Sequence, residues 1–248
     1  MSEIKPVYLL AGGRPANRKA NDLLVREAFR GSGKNSPSVG YVGTASDDDK
    51  NFFDHLAGML RENGASEVNH ALIAPENADI SRAKYILKNS DIIYVSGGDV
   101  DTGIQILKER HMVNFLAELY QEGKPFFGLS AGSIMLAKEW VRWCNPADDT
   151  TAEIFPCLRI VPVLCDTHDE EGGWGELKVL LMLEKDGAIG YGIATGAALR
   201  VFPDGRIEAL GGAVHQYANR GGKVYKRKSL QISTGNPQFA KWHQPHTL

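Results

Sequence analysis

The sequence predicts an α/β protein, a doubly wound and mostly parallel sheet with helices on both faces and antiparallel strands added near the C-terminus. Two observations carry that expectation. Short apolar runs that end in Gly, Asn or Asp alternate with segments of 3.6-residue periodicity, the pattern of repeated βα units. The chain has 248 residues, 43% hydrophobic and 23% charged, enough to bury a core and too apolar for wholesale disorder. At roughly 150 residues per domain, this length suits one large domain over residues 1–222, with 223–248 as a tail or surface arm.

Taken in order, strands are expected at residues 6–10, 38–42, 67–72, 91–96 and 126–129, with helices between most of them. The clearest helix spans 50–63, where Phe52, Phe53, Leu56, Met59 and Leu60 share a face and Asn63-Gly64 supplies the stop. Another spans 112–122, before Gly123. After Trp140 the periodicity breaks, and residues 143–153 read as an irregular loop. A strand at 160–165, a helix at 175–184 and a strand at 188–193 follow. Pro203-Asp204-Gly205 then turns a hairpin between 198–202 and 206–210. The last stretch opens with Lys223, Lys226, Arg227 and Lys228 and reads as solvated.

Charge and composition exclude several classes of function. Lys and Arg total 28 against 30 Asp and Glu, a net charge of −2, which provides no field to attract nucleic acid or an anionic membrane. The apolar runs at 92–95 and 160–165 fall far short of the ~20 residues a membrane span needs. Residues 1–6 lack the features of a signal peptide, so a cytoplasmic address is expected. Cys144, Cys157 and Cys165 are odd in number and lack Cys-x-x-Cys spacing, and so read as buried free thiols; no metal or cofactor is expected.

The most informative segment is Gly128-Leu129-Ser130-Ala131-Gly132, entered from an apolar strand and left by a helix-like run. That context is a nucleophile elbow, in which small residues let the chain turn sharply and present the Ser130 hydroxyl. A serine that only caps the helix is the plainer alternative. Gly97-Gly98-Asp99 ends the preceding strand. If the two strands are neighbours, the Gly98 and Ala131 amides form a donor pair for an oxyanion. Of the seven histidines, His168 is best placed to act as base, in an acidic loop after the strand at 160–165. His55, His70, His111, His243 and His246 read as surface residues. His215 follows a strand-like region but has no acidic loop beside it.

Along the chain Gly97-Gly98-Asp99, Gly128-Leu129-Ser130-Ala131-Gly132 and Asp166-Thr167-His168, in that order, resemble the serine peptidases that include aspartyl dipeptidase (peptidase E) and cyanophycinase, built on the class I glutamine amidotransferase-like fold. The resemblance covers residues 5–212. It implies Ser130 as nucleophile, His168 as general base, and the Gly98 and Ala131 amides as oxyanion hole, with Asp99 and Glu176 beside the substrate. Ser130 replaces the cysteine of related amidotransferases, which argues against ammonia transfer from glutamine. Two departures stand out. The family's acid falls in the segment matching residues 192–196, where this chain carries Thr195; Asp169, Glu170 and Glu153 are candidates to supply a carboxylate. Relatives also carry arginines after the histidine, whereas this chain reads Gly172-Gly173-Trp174-Gly175-Glu176, which weakens an aspartyl preference. The expected ligand is a small peptide or amide, and a homodimer is allowed. The alternatives are a non-catalytic binding protein on the same fold and an amide hydrolase of a non-peptide metabolite.

Overall fold

Side chains on successive residues of a strand point to opposite faces, and the central strands of this chain are apolar on both. In the computed structural model, which describes residues 3–13, 18–145 and 147–233, five strands lie parallel, with the mostly polar Glu67–His70 at the edge. They are β1 (Val7–Leu10), β2 (Ser38–Val42), β3 (Glu67–His70), β4 (Ile92–Val95) and β5 (Phe126–Leu129). Val7, Leu9, Val42, Ile93, Val95 and Phe126 face one core; Tyr8, Leu10, Val39, Tyr41, Ile92, Tyr94 and Phe127 face the other. Helices α1 (Arg18–Gly31) and α2 (Lys50–Glu62) cover the second face, while α3 (Ile80–Asn89), α4 (Val100–Glu109) and α5 (Val113–Gln121) cover the first. Each fully buried aliphatic side chain adds about 1.5–3 kcal/mol, so these two layers dominate the stability of the fold. Asp49, Asp79 and Asp99 cap α2, α3 and α4 by accepting the Phe52, Arg82 and Thr102 amides at 2.7, 2.9 and 2.7 Å.

Beyond β5 come α6 (Ala131–Leu136), β6 (Glu139–Trp143), β7 (Ala152–Pro156), β8 (Leu164–Thr167) and α7 (Gly175–Leu183). The chain then forms β9 (Ile189–Ile193), β10 (Ala198–Val201), β11 (Ile207–Leu210), β12 (Val214–Arg220) and β13 (Lys223–Lys226). The main sheet has the order β11-β10-β1-β5-β4-β2-β3, with β10 and β11 as the expected antiparallel hairpin. A second sheet, β13-β12-β9-β8, stands apart from it.

The structure corrects the expected course of the chain in three places. Residues 143–153 are not wholly irregular, because β6 and β7 pair antiparallel with Arg142 opposite Glu153. An ion pair at 2.6 Å joins those two residues, and Phe155 lies under Lys108 and Arg142 at 4.2 and 4.6 Å from its ring centre. Ile160, Val161 and Val163 are buried but not extended in a sheet: the Val161 amide donates to Leu136 and that of Lys138 to Val163, so their apolarity reflects packing on α6. Cys144 is exposed, while Cys157 and Cys165 are buried as expected. Strand β13 lies within the segment read as a tail, and residues 234–248, His243 and His246 included, lie outside the described residues. Among the described residues no helix is long and apolar enough to cross a membrane.

The first turn of α6 presses onto β4. A Cβ on Gly132 would stand 2.1 Å from the Val95 carbonyl oxygen, whereas one on Gly58 of α2 would meet nothing within 4 Å. Gly132→Ala should therefore lower the stability measured by urea unfolding by at least ~1–3 kcal/mol. Gly58→Ala, relieved of the helix cost of glycine, should raise it by up to ~1 kcal/mol.

Candidate active site

Strand β5 delivers the chain to Ser130, which holds φ 54° and ψ −124°. For a non-glycine residue this is a strained conformation. Two bonds to one acceptor secure it: the Ser130 amide and the Ser133 hydroxyl donate to the Leu10 carbonyl at 2.9 and 2.8 Å. Ser130 occupies the N-cap position of α6, yet its side chain caps nothing. Its Oγ lies 2.7 Å from His168 Nε2. With the imidazole proton on Nδ1, the hydroxyl donates to Nε2, the direction in which a proton leaves a nucleophile.

Strand β4 does neighbour β5, in parallel, with Val95 opposite Gly128, so the Gly97-Gly98 turn and the elbow share one sheet edge. Gly98 has φ 140°, and a Cβ there would stand 1.9 Å from the Ala45 carbonyl oxygen. That carbonyl accepts the Asp99 amide at 2.7 Å. The loop carrying Ala45 is anchored by Asp48, which accepts the Ile73 and Ala74 amides at 2.6 and 2.8 Å and meets His70 Nε2 at 3.0 Å. His70 is thus no idle surface residue: its ring also stacks on Phe53, with centroids 4.2 Å apart. His55 and His111 are exposed, as expected.

His168 comes from the second sheet. It follows β8, has φ 48°, and its amide donates to Ile193 at the end of β9 at 2.9 Å. The loop onward to α7 is pinned by Trp174, whose ring packs on Gly192 so closely that a Cβ there would meet it at 2.5 Å. Asp169 accepts the Gly175 amide at 3.1 Å. Glu170 accepts hydrogen bonds from both the amide and the hydroxyl of Thr195. Glu153 is paired with Arg142 on the hairpin. His215 makes a 3.2 Å contact to Ser229 Oγ and lies beside Trp174.

Ser130 and His168 open onto a cleft of about 870 Å³, which Gly98, Ala131, Asp99 and Glu176 also line. The β6–β7 hairpin supplies a wall that the sequence did not disclose, with Trp140, Arg142 and Trp143. Charge on the cleft is lopsided. Asp99, Asp101, Asp166, Asp169 and Glu176 face Arg142, which is already held by Glu153 and Asp101 at 2.6 and 3.5 Å. Burial pushes the Asp166 carboxyl up to about 7, against the Thr167 amide, which favours its ionised form; the charges of Asp169, Glu176 and Glu170 push it further up. Desolvation and then Asp169 raise Glu176. Among the described residues no group of three or more His, Cys, Asp and Glu side chains could hold a metal ion.

The model of peptidase family S51 matches residues 7–208. The chain belongs to peptidase family S51. It is a serine-type peptidase, as its resemblance to the peptidase E family implied. An uncharacterized peptidase of Bacillus subtilis, YgaJ, is 22% identical over 227 residues, covering 90% of this chain and 92% of that protein. Peptidase E of Pasteurella multocida is 25% identical over 103 residues, 42% of this chain and 43% of that one. Among solved structures, a peptidase from an acI-B1 actinobacterium superposes with a TM-score of 0.66 at 20% identity, covering 92% of this chain and 97% of its own. A putative peptidase E protein from Listeria monocytogenes gives 0.61 at 19%, covering 84% and 98%. At such identities the two structures establish a shared fold.

The buried carboxyl gives this S51 peptidase a measurable signature. Unfolded, Asp166 ionises near 3.8; folded, near 7. Between those values the folded state binds the extra proton, so stability falls as pH rises from about 4 to about 7, by at most about 4 kcal/mol. Asp166→Asn should flatten that slope in urea unfolding followed across this range, and an unchanged slope would exclude Asp166 as its source.

Proposed function

We propose that this S51 peptidase cleaves a small peptide or amide through an acyl-enzyme on Ser130, with His168 as general base and the Gly98 and Ala131 amides as oxyanion hole. The 2.7 Å contact of Ser130 Oγ with His168 Nε2, at an elbow opening on the cleft, carries the reading. As Oγ bonds to the carbonyl carbon, its proton passes to Nε2 and the carbonyl oxygen becomes an oxyanion. The C–N bond then breaks, and the amine leaves with that proton. Water repeats the sequence on the ester, releasing the acid and restoring the serine.

A fluorophosphonate should label Ser130, located by mass spectrometry, and Ser130→Ala should abolish both labelling and hydrolysis; labelling that survives in this variant refutes the nucleophile. His168→Ala should slow the chemical step at least ~100-fold, while His215→Ala does little. The reverse ranking would make His215 the base.

The cleft also bears on specificity. Glu176 borders it and Arg142 is already engaged by acids, so an acidic substrate side chain meets repulsion and, among the described residues of the cleft, no unpaired arginine or lysine. Substrates with neutral or basic side chains should outrun aspartyl ones, since ~1.4 kcal/mol of differential interaction is tenfold in rate. A dipeptide panel varying only the residue before the scissile bond, run on wild type and Glu176→Arg, measures this. An aspartyl preference in wild type, or an unchanged ranking in the variant, would remove Glu176 from the substrate site.

A further inference from the structure

We propose that Glu170, clamped by Thr195, is the carboxylate that backs His168, a positioning residue delivered by the histidine's own loop; the inference rests on the Ser130–His168 reading. An imidazole that receives a proton at Nε2 becomes a cation, and a fixed negative charge behind it stabilises that cation and holds the ring in register. Four acids are candidates for this role, Asp166 and the three the sequence offers, Asp169, Glu170 and Glu153, and three of them have other engagements. Asp169 turns toward its own loop, accepting the Gly175 amide and lying against Gly172. Glu153 is bound to Arg142 across the hairpin. Asp166 is buried on the cleft wall, accepts the Thr167 amide, and is only partly ionised near neutral pH.

Glu170 differs in being held by the strand end that also anchors the histidine. The Thr195 amide donates to its Oε1 and the Thr195 hydroxyl to its Oε2 at 3.3 Å, so both oxygens are held from the end of β9. The same strand end accepts the His168 amide at Ile193, which joins residues 168–170 to 193–195. Partial burial works to raise the Glu170 pKa, but amide and Thr195 hydrogen bonds and the charge of His168 leave it below its ordinary value. Thr195 therefore has a purpose although it carries no charge: it orients an acid that arrives from 25 residues earlier in the chain. Other titratable groups around this pair include Asp166, Asp169, Glu171 and Glu176 from the chain on either side, and His215 and Lys226 from β12 and β13, with Glu170 also acting on His215.

The rate at which a fluorophosphonate labels Ser130, followed against pH, tests this without knowledge of the substrate. Glu170→Gln should slow labelling about 10- to 100-fold and move the acid limb of the profile to lower pH, because the imidazolium loses its counter-charge. Thr195→Val, which frees the carboxylate, should slow it less. Adding Thr195→Glu to Glu170→Gln, which restores a carboxylate from the strand end, should recover most of the loss. A wild-type rate and limb in Glu170→Gln would overturn the inference. So would a slower variant whose limb stays in place and which Thr195→Glu does not rescue, since only packing would then have been lost. If Ser130 of the wild type is not labelled at all, the acyl-enzyme reading itself falls and takes this inference with it.

Discussion

At the elbow, two stretches of backbone meet with no room for a side chain between them. A Cβ on Gly132 would lie 2.1 Å from the Val95 carbonyl oxygen, and one on Gly128 would lie 2.6 Å from the Gly132 carbonyl carbon. With the start of α6 pressed this closely on β4 and β5, the chain must reverse at a single residue, and Ser130 takes the positive φ that results. Such strain costs on the order of 1–3 kcal/mol and persists only where the surroundings over-determine it. Here the Leu10 carbonyl does so, holding both the Ser130 amide and the Ser133 hydroxyl. The conformation turns the serine hydroxyl away from the helix it precedes and toward the cleft.

The partner of that hydroxyl belongs to a different sheet, so the site depends on how two layers are set against each other. Helix α6 is the shared element. It begins at the elbow, and Ile134, Met135 and Leu136 share a core with Ile160, Val161, Leu164 and Cys165 on the way to His168. Main-chain bonds from Lys138 to Val163 and from Val161 to Leu136 complete the join. Because packed interiors resist small displacements, this seam can hold two side chains at 2.7 Å from opposite sheets.

The cleft takes its negative charge from the stretch that runs from β8 into α7 and from the start of α4. Of its acids the most deeply buried, Asp166, is driven toward its neutral form. Arg142, the cation that faces them, comes from the β6–β7 hairpin and is shared between Glu153 and Asp101. The cleft is therefore negative without being a uniform field, and the groups able to tune it lie on three separate parts of the chain.

Much of this was legible in the sequence, and the division has a physical basis. The five parallel strands, the amphipathic helix with its Asn63-Gly64 stop and the Gly-x-Ser-x-Gly elbow are written in residues one to four positions apart, since turn chemistry and amphipathic periodicity are local interactions. The Ser130 and His168 candidates followed from their places after strands. Other features were settled only by tertiary structure. Arg142 and Glu153 pair across an apparent loop, and residues 160–163 owe their apolarity to α6 rather than to a sheet. The His70–Asp48 contact spans 22 positions and the Thr195–Glu170 contact 25. No local period signals such pairs. By itself the sequence determined which residues are candidates to react and where the backbone must turn; the meeting of two sheets across α6 decided which of them touch, because that contact exists only once the long-range packing has formed.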